Sequence, residues 1–272
     1  MIHIPHLETD VTLACTRRCT QCNHFVTAWA DRPAREVPRS TPQQVAQDLG
    51  HLSTIMHADR WGALGGEPLL AHDLLETLAV ARASGVADRI EVWTNGELLR
   101  KQPSAFWEAF DILVVSIYPG VLTDVDVAWI QDASRAAGVA LELKDERQPN
   151  FWRVLLEREP TDARVTAQKF ANCFFRRYSR VANWGSFFLC CCAPHGPATL
   201  GGQPLGTDGI PIAGLTEDAL RAYLNRTEPL GWCSSCALPS SGPAAIPWSE
   251  ERTLVRWVQA SKGLPVDEVA SA

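Results

Sequence analysis

The stretch Cys15-Thr16-Arg17-Arg18-Cys19-Thr20-Gln21-Cys22 places three thiols in one short loop. It follows an apolar run, Val11–Ala14, expected to be a strand. Thiolates with this spacing can converge from one loop onto three irons of a cubane. The fourth iron then has no protein ligand and is open to a small molecule. A structural zinc site would instead be closed by a fourth ligand, and His24 is placed to supply it.

The nine cysteines cluster at 15–22, 173–192 and 233–236, and residues 23–172 contain none. Scattered core cysteines would not avoid half the chain. In a reducing compartment, clusters of this kind are metal ligands or reactive thiols rather than disulfides. The N-terminus, Met1–Asp10, lacks the basic start and apolar run of a signal peptide, so a cytoplasmic protein is expected. No run approaches the roughly 18 apolar residues of a membrane span. The net charge of −6, with Lys and Arg scattered, argues against nucleic acid as a partner.

Outward from the first loop, apolar runs alternate with helical patterns. Further strands are expected at Arg60–Leu64, Arg89–Trp93, Asp111–Ser116 and Val139–Leu143. Helices are expected after Thr41-Pro42, over Asp73–Ala83, from Ser104, and from Thr123 to Gly138. Repeated βα units predict a parallel sheet with outer helices and a site at the C-terminal strand ends. After Lys144 the pattern changes: Asp145–Pro160 is irregular, Asp162–Ala171 is helical, and Ala193–Gly214 reads as loop. Thr216 caps a helix before Cys233, and Ser249 opens a last one containing Leu254 and Trp257. The expected organisation is a barrel-like domain over 1–160 and a smaller cysteine-bearing domain over 161–272.

Gly65-Gly66-Glu67-Pro68 ends the second expected strand. Paired glycines allow a backbone to approach a ligand, and a carboxylate there can accept from an ammonium group. Together with the cysteine loop one βα unit earlier, this resembles the radical S-adenosylmethionine (SAM) superfamily. The resemblance covers about residues 8–145 and implies a partial (βα)6, TIM-like barrel. It implies a [4Fe–4S] cluster on Cys15, Cys19 and Cys22 whose open iron chelates SAM. Gly65, Gly66, Glu67 and Pro68 would hold the SAM amino group, and Thr94, Asn95 and Ser116 its carboxylate or ribose. The implied chemistry is reductive cleavage of SAM to a 5′-deoxyadenosyl radical that abstracts hydrogen from substrate. Relatives commonly carry an aromatic residue before the third cysteine, where this chain has Gln21; Phe25 is the candidate substitute near the adenine.

Cys173, Cys190, Cys191, Cys192, Cys233 and Cys236 offer six thiols where a cubane needs four, and structural zinc is the alternative. The arrangement resembles the auxiliary "twitch" domain of radical SAM enzymes such as the dehydrogenases acting on 2-deoxy-scyllo-inosamine. That resemblance implies a second [4Fe–4S] cluster on Cys173, Cys191, Cys233 and Cys236. If Ser186–Cys192 is extended, alternation turns Cys190 and Cys192 to the face opposite Cys191. Either is then inert packing or a hydrogen-atom donor to a substrate radical.

The expected function is hydrogen abstraction from a polar small molecule such as a sugar, aminocyclitol or aminoglycoside. Oxidation of a carbinol in natural-product biosynthesis leads, with epimerisation through Cys190 or Cys192 as the variant. A flavodoxin- or ferredoxin-type electron donor is implied. Peptide modification is disfavoured because the cluster loop begins at residue 15, leaving no leader-binding domain ahead of it. Activation of a glycyl-radical enzyme is disfavoured by the cysteine-free span 23–172. The non-enzyme alternative is a zinc-stapled binding module. Tyr118, Lys144, Asp145, Arg147 and Trp152 are candidates for lining a polar pocket, with solvated loops as the plainer reading; His6 and His195 are read as surface or core.

Overall fold

Residues 2–12 bury nearly every side chain beyond Leu7, and this apolar run makes the first strand, β1 (Ile2–Thr12). The computed structural model describes residues 1–147, 151–152, 154, 162–201, 204–237, 245–246 and 248–250. Strands β2 (Met56–Gly65), β3 (Ala87–Thr94), β4 (Ile112–Ile117) and β5 (Ala140–Asp145) follow, all parallel to their neighbours. Between them run α1 (Pro42–Leu52), α2 (Leu74–Ser84), α3 (Ser104–Trp107) and α4 (Asp124–Ala137). Their ends follow the local chemistry. Thr41 and Gln44 form a reciprocal cap on α1, as Thr123 and Asp126 do on α4. Gly85 and Gly138, at φ +65° and +71°, end α2 and α4 in the left-handed region that glycine enters without cost.

The first strand was expected at Val11–Ala14 but ends at Thr12 and begins nine residues earlier than expected at Ile2. Its period-2 polar positions had disguised it. Beyond residue 147, Phe151–Trp152 (β6) pairs antiparallel with Ala245–Ile246 (β10). Helices α5 (Ala163–Ala171), capped by Asp162, and α6 (Phe175–Tyr178) lead into β7 (Arg180–Asn183). Strand β7 is a sixth parallel strand, and it pairs with β1 rather than with β5. Strands β8 (Ser186–Phe188) and β9 (Ile210–Pro211) then add antiparallel, giving the order β5-β4-β3-β2-β1-β7-β8-β9. One sheet therefore runs across the boundary expected near residue 160.

The chain is a partial barrel of parallel strands with helices outside. The segment 193–214, expected as loop, holds α7 (Gly196–Gly201) and β9, and α8 (Glu217–Leu224) is capped by Thr216 as expected. The extension expected over Ser186–Cys192 stops at Phe188, and Cys190, Cys191 and Cys192 lie in a bend and turn. The helix expected from Ser249 falls outside the described residues; Ser249 and Glu250 are not helical. The core between sheet and helices contains Leu7, Trp61, Leu78, Phe106 and Leu113, all fully buried. Each such side chain contributes about 1.5–3 kcal/mol. Among the described residues, no helix is long and apolar enough to cross a membrane.

Register sets the interior surface. Glu8 on β1 pairs with Gly62 on β2, which pairs with Glu91 on β3. A Cβ at Gly62 would lie 3.1 Å from Glu91 Oε1 and 2.4 Å from Leu64 Cδ1, so Glu91 and Leu64 pack directly over this glycine.

Candidate active site

The C-terminal ends of β1 to β5 surround a cavity of about 880 Å³. Its rim is built from consecutive strand-end loops. Cys15, Cys19 and Cys22 enter from the loop after β1, Gly65 and Gly66 from β2, Thr94 and Asn95 from β3, and Ser116 and Tyr118 from β4.

Cys15 and Cys19 both feel the Cys22 thiol. Burial pushes Cys19 up to about 12 and raises Cys15 and Cys22 as well; neighbouring thiols add to it at Cys15 and Cys19, and Asp10 at Cys22. N–H donors point at each sulfur. The backbone of Arg17 donates to Cys15 Sγ at 3.3 Å, and the Trp248 indole donates to Cys19 Sγ at 3.1 Å. Backbone N–H groups of His24, Phe25 and Val26 serve Cys22. Such donors stabilise thiolate sulfur, so this donor set suits an iron–sulfur cluster. Residues 248–250 close over the loop: Ser249 O accepts from Thr20 N at 3.0 Å, and Glu250 Oε1 accepts from Arg18 N at 2.9 Å.

The glycine pair has a role that the sequence reading did not anticipate. Gly66 N donates to Thr12 O at 2.7 Å and Glu67 N to Ala14 O at 2.8 Å, zipping the β2 loop onto the cysteine loop. A Cβ on Gly66 would meet Ala14 O at 2.1 Å, and Gly65 has φ +113°. Their close approach is thus to protein backbone as well as to the cavity. Glu67 is fully buried. Its Oε1 accepts from Thr94 Oγ1 at 2.7 Å and Leu69 N at 3.1 Å, and its Oε2 from Asn95 N at 2.9 Å. Glu67 and Pro68 stand behind the cavity wall, where Glu67 holds Thr94 and Asn95 in place. Burial pushes the Glu67 carboxyl up to about 7 against those three donors.

Gln21 lines the cavity, and its Oε1 accepts from Val154 N at 3.0 Å. Phe25 is fully buried, edge-on to Trp232, and does not line the cavity. The aromatic surface near Cys19 is Tyr118 stacked on Trp248, with centroids 5.0 Å apart and planes at 21°.

The cysteine trio is split by its turn. Cys191 lines the cavity, where Asn23 Nδ2 donates to its Sγ at 3.3 Å. Cys190 faces the other cysteines: after burial, it is the thiol that most raises both Cys173 and Cys233. Cys192 is buried, with its Sγ 3.9 Å from that of Cys191. Cys190 thus lies toward Cys173 and Cys233, and Cys191 toward the cavity. Alternation fails because the trio is not extended. Cys236 sits beside α5, where Lys169 Nζ donates to its carbonyl at 2.8 Å.

Beneath the rim, two buried polar groups tie the sheet together. Asp10 Oδ1 lies 2.7 Å from His24 Nδ1, and Asp10 Oδ2 lies 2.7 Å from His195 Nε2. These imidazoles hold Asp10 far below the usual carboxylate range although burial opposes it. Asp10 thus links β1 to the cysteine loop and to the turn after Cys192. The second group is His6, bonded to Glu8 Oε1 at 3.0 Å and to Glu91. Burial opposes its charge, but the two carboxylates push it up to about 10. His6 passed as an ordinary histidine because it has no metal-type spacing. The usable signal was alternation: His6, Glu8 and Asp10 share one face of an otherwise apolar strand. Lys144 lines the same region, its Nζ 3.5 Å above the Trp93 ring. Tyr118 and Asp145 line the cavity, while Arg147 lies outside it, paired with Asp145 and Asp124. The Trp152 side chain lies outside the described structure.

No family model matches the chain, and no curated protein matches it in sequence. Solved structures do resemble it. BtrN, determined in complex with AdoMet (SAM) and 2-DOIA, matches at 15% identity over 82% of each chain, with a TM-score of 0.50. Streptococcus suis SuiB bound to precursor peptide SuiA matches at 17% identity over 52% of this chain and 32% of its own, with a TM-score of 0.40. The anSMEcpe protein with bound AdoMet matches at 12% identity over 65% of this chain and 52% of its own, with a TM-score of 0.39. This chain has the fold of BtrN.

Proposed function

We propose that this protein is a radical SAM enzyme acting on a polar small molecule held in the cavity. One observation carries the reading: the thiols of Cys15, Cys19 and Cys22 share a single cavity with Gly65, Gly66, Thr94, Asn95 and Ser116. A [4Fe–4S] cluster and SAM, when bound, supply reductive cleavage to a 5′-deoxyadenosyl radical. The chain's own contribution is placement. Three thiols leave one iron open, Glu67 fixes Thr94 and Asn95 at the SAM side, and Tyr118 with Trp248 offers an aromatic face for the adenine. The fold shared with BtrN, a protein solved in complex with AdoMet and 2-DOIA, supports the reading.

Cys173, Cys190, Cys233 and Cys236 are the proposed ligands of an auxiliary cluster. Such a cluster can accept an electron from the substrate, so oxidation of a carbinol is the leading reaction, with a flavodoxin- or ferredoxin-type donor. Epimerisation is the second reading, and the place of Cys191 in the cavity wall favours it. A thiol there can return a hydrogen atom to the face opposite abstraction.

Anaerobic reconstitution tests the core claim. The protein should hold about eight irons per chain, and the Cys15/Cys19/Cys22→Ala variant about four, without SAM cleavage. Zinc in place of iron and sulfide would establish the stapled binding module instead.

A further inference from the structure

Asp10, His24 and His195 come from three distant parts of the chain: the end of β1, the loop two residues past Cys22, and the turn before α7. Asp10 and His195 are fully buried, His24 is 7% exposed, and their ligating atoms all lie within 4.8 Å of one another. Each residue brings a buried polar atom that makes no hydrogen bond: Asp10 Oδ1, His24 Nδ1 and His195 Nδ1. Asp10 Oδ1 and His24 Nδ1 are nevertheless only 2.7 Å apart. What that contact lacks is direction, not proximity. A hydrogen bond needs the N–H aimed along the line to its acceptor. Two ligands of one metal ion instead sit side by side, about 3 Å apart, with their lone pairs aimed at a third point.

The neighbours suit such an ion. The far oxygen of the carboxylate, Oδ2, accepts from Asn183 Nδ2 and from His195 Nε2, and Asn183 Oδ1 in turn accepts from Asp10 N. Donors on the far oxygen fix the orientation of a ligating carboxylate. Asp10 has no Lys or Arg partner among the described residues, so the only counter-charge in reach is on the imidazoles themselves. Metal ligation replaces imidazole protons and supplies that charge directly. Two imidazoles and one carboxylate form a ligand set that zinc takes, whereas magnesium and calcium favour oxygen alone.

We propose that Asp10, His24 and His195 bind one divalent metal ion, zinc by its ligand set, which fastens the first cysteine loop and the turn after the cysteine trio to β1. The proposal is independent of the radical SAM reading, because none of its ligands is a cysteine. Reconstituted protein is dialysed anaerobically against zinc, desalted and analysed for zinc and iron, and X-ray absorption at the zinc edge reads the neighbours of the ion. About one zinc per chain is expected in addition to iron, with nitrogen and oxygen at about 2.0–2.2 Å and no sulfur at about 2.3 Å. His195→Gln and Asp10→Asn should each weaken zinc binding at least about tenfold while iron content is kept. His24 is left intact because it adjoins Cys22. Circular dichroism reports whether the variants fold; if neither does, the absorption spectrum of wild type decides alone. Three results would overturn the proposal: no zinc retained, zinc bound to sulfur and therefore on the cysteines, or unchanged zinc in the folded variants. Zinc on nitrogen and oxygen in a protein that takes up no iron would instead remove the radical reading and leave this site standing.

Discussion

Glu67 Oε2 accepts the backbone N–H of Asn95 at 2.9 Å, fastening the loop after β2 to the loop after β3. With Thr94 Oγ1 on the other oxygen, the carboxylate spends its lone pairs on positioning. Glu67→Gln turns an N–H₂ toward one of these donors. Loss of about 1–3 kcal/mol of stability is expected, together with weaker SAM binding through displaced Thr94 and Asn95. Denaturant titration and calorimetry would check both. Weaker SAM binding at wild-type stability would mean that Glu67 contacts SAM itself.

The pH dependence follows from two raised pKa values. Glu67 is pushed by burial from 4.5 to about 7. His6, although burial opposes it, is raised by Glu8 and Glu91 from 6.5 to about 10. In both cases the folded state holds the proton more tightly than the unfolded chain. Each contribution is therefore full below the unfolded value and lost as pH rises through the folded one. Stability should fall between about pH 4.5 and 7 through Glu67, and between about 6.5 and 10 through His6. Glu67→Gln should flatten the lower window and His6→Gln the upper. Nitrogen-15 shifts showing neutral His6 at pH 8 would contradict this.

The first two cysteines of the trio are distinguished by metal content. Cys190→Ser should cost about four irons per chain, because Cys190 faces Cys173 and Cys233. Cys191→Ser should retain the full complement, since its sulfur lines the cavity. The opposite pattern would restore Cys191 as the ligand.

Trp248 donates to Cys19 Sγ, and hydrogen bonds to cluster sulfur raise reduction potential. Trp248→Phe should therefore make the first cluster harder to reduce at unchanged iron content. A redox titration followed by electron paramagnetic resonance reads this directly. An unaltered potential would assign the indole to packing on Tyr118 alone.

Glycine positions give a contrast in stability. At Gly66→Ala the new methyl would meet backbone at 2.1 Å, and a loss of about 1–3 kcal/mol or more is expected. Gly50, inside α1, has nothing within 4 Å of an added Cβ. Gly50→Ala should stabilise by about 0.5–1 kcal/mol through helix propensity. Thermal melts of the two variants should move in opposite directions.

Sequence by itself determined the features that local chemistry sets. Helix starts at Thr41, Thr123, Asp162 and Thr216 and stops at Gly85 and Gly138 were legible because caps and left-handed glycines act within a few residues. The central strands were legible from their unbroken apolar runs, and the cysteine loop from its spacing. Only tertiary structure decided what depends on distant segments. Strand β7 has four residues and no alternation of its own, and its pairing with β1 comes from packing. The split of the cysteine trio arises from a turn that follows β8, where a period-2 argument does not hold. Glu8 reads as one acid in an apolar strand. Its partners His6 and Ser179, the latter 171 positions away, meet it only in the fold. Register and long-range hydrogen bonding carry no local signature, so the polar wall of the cavity is set by the fold.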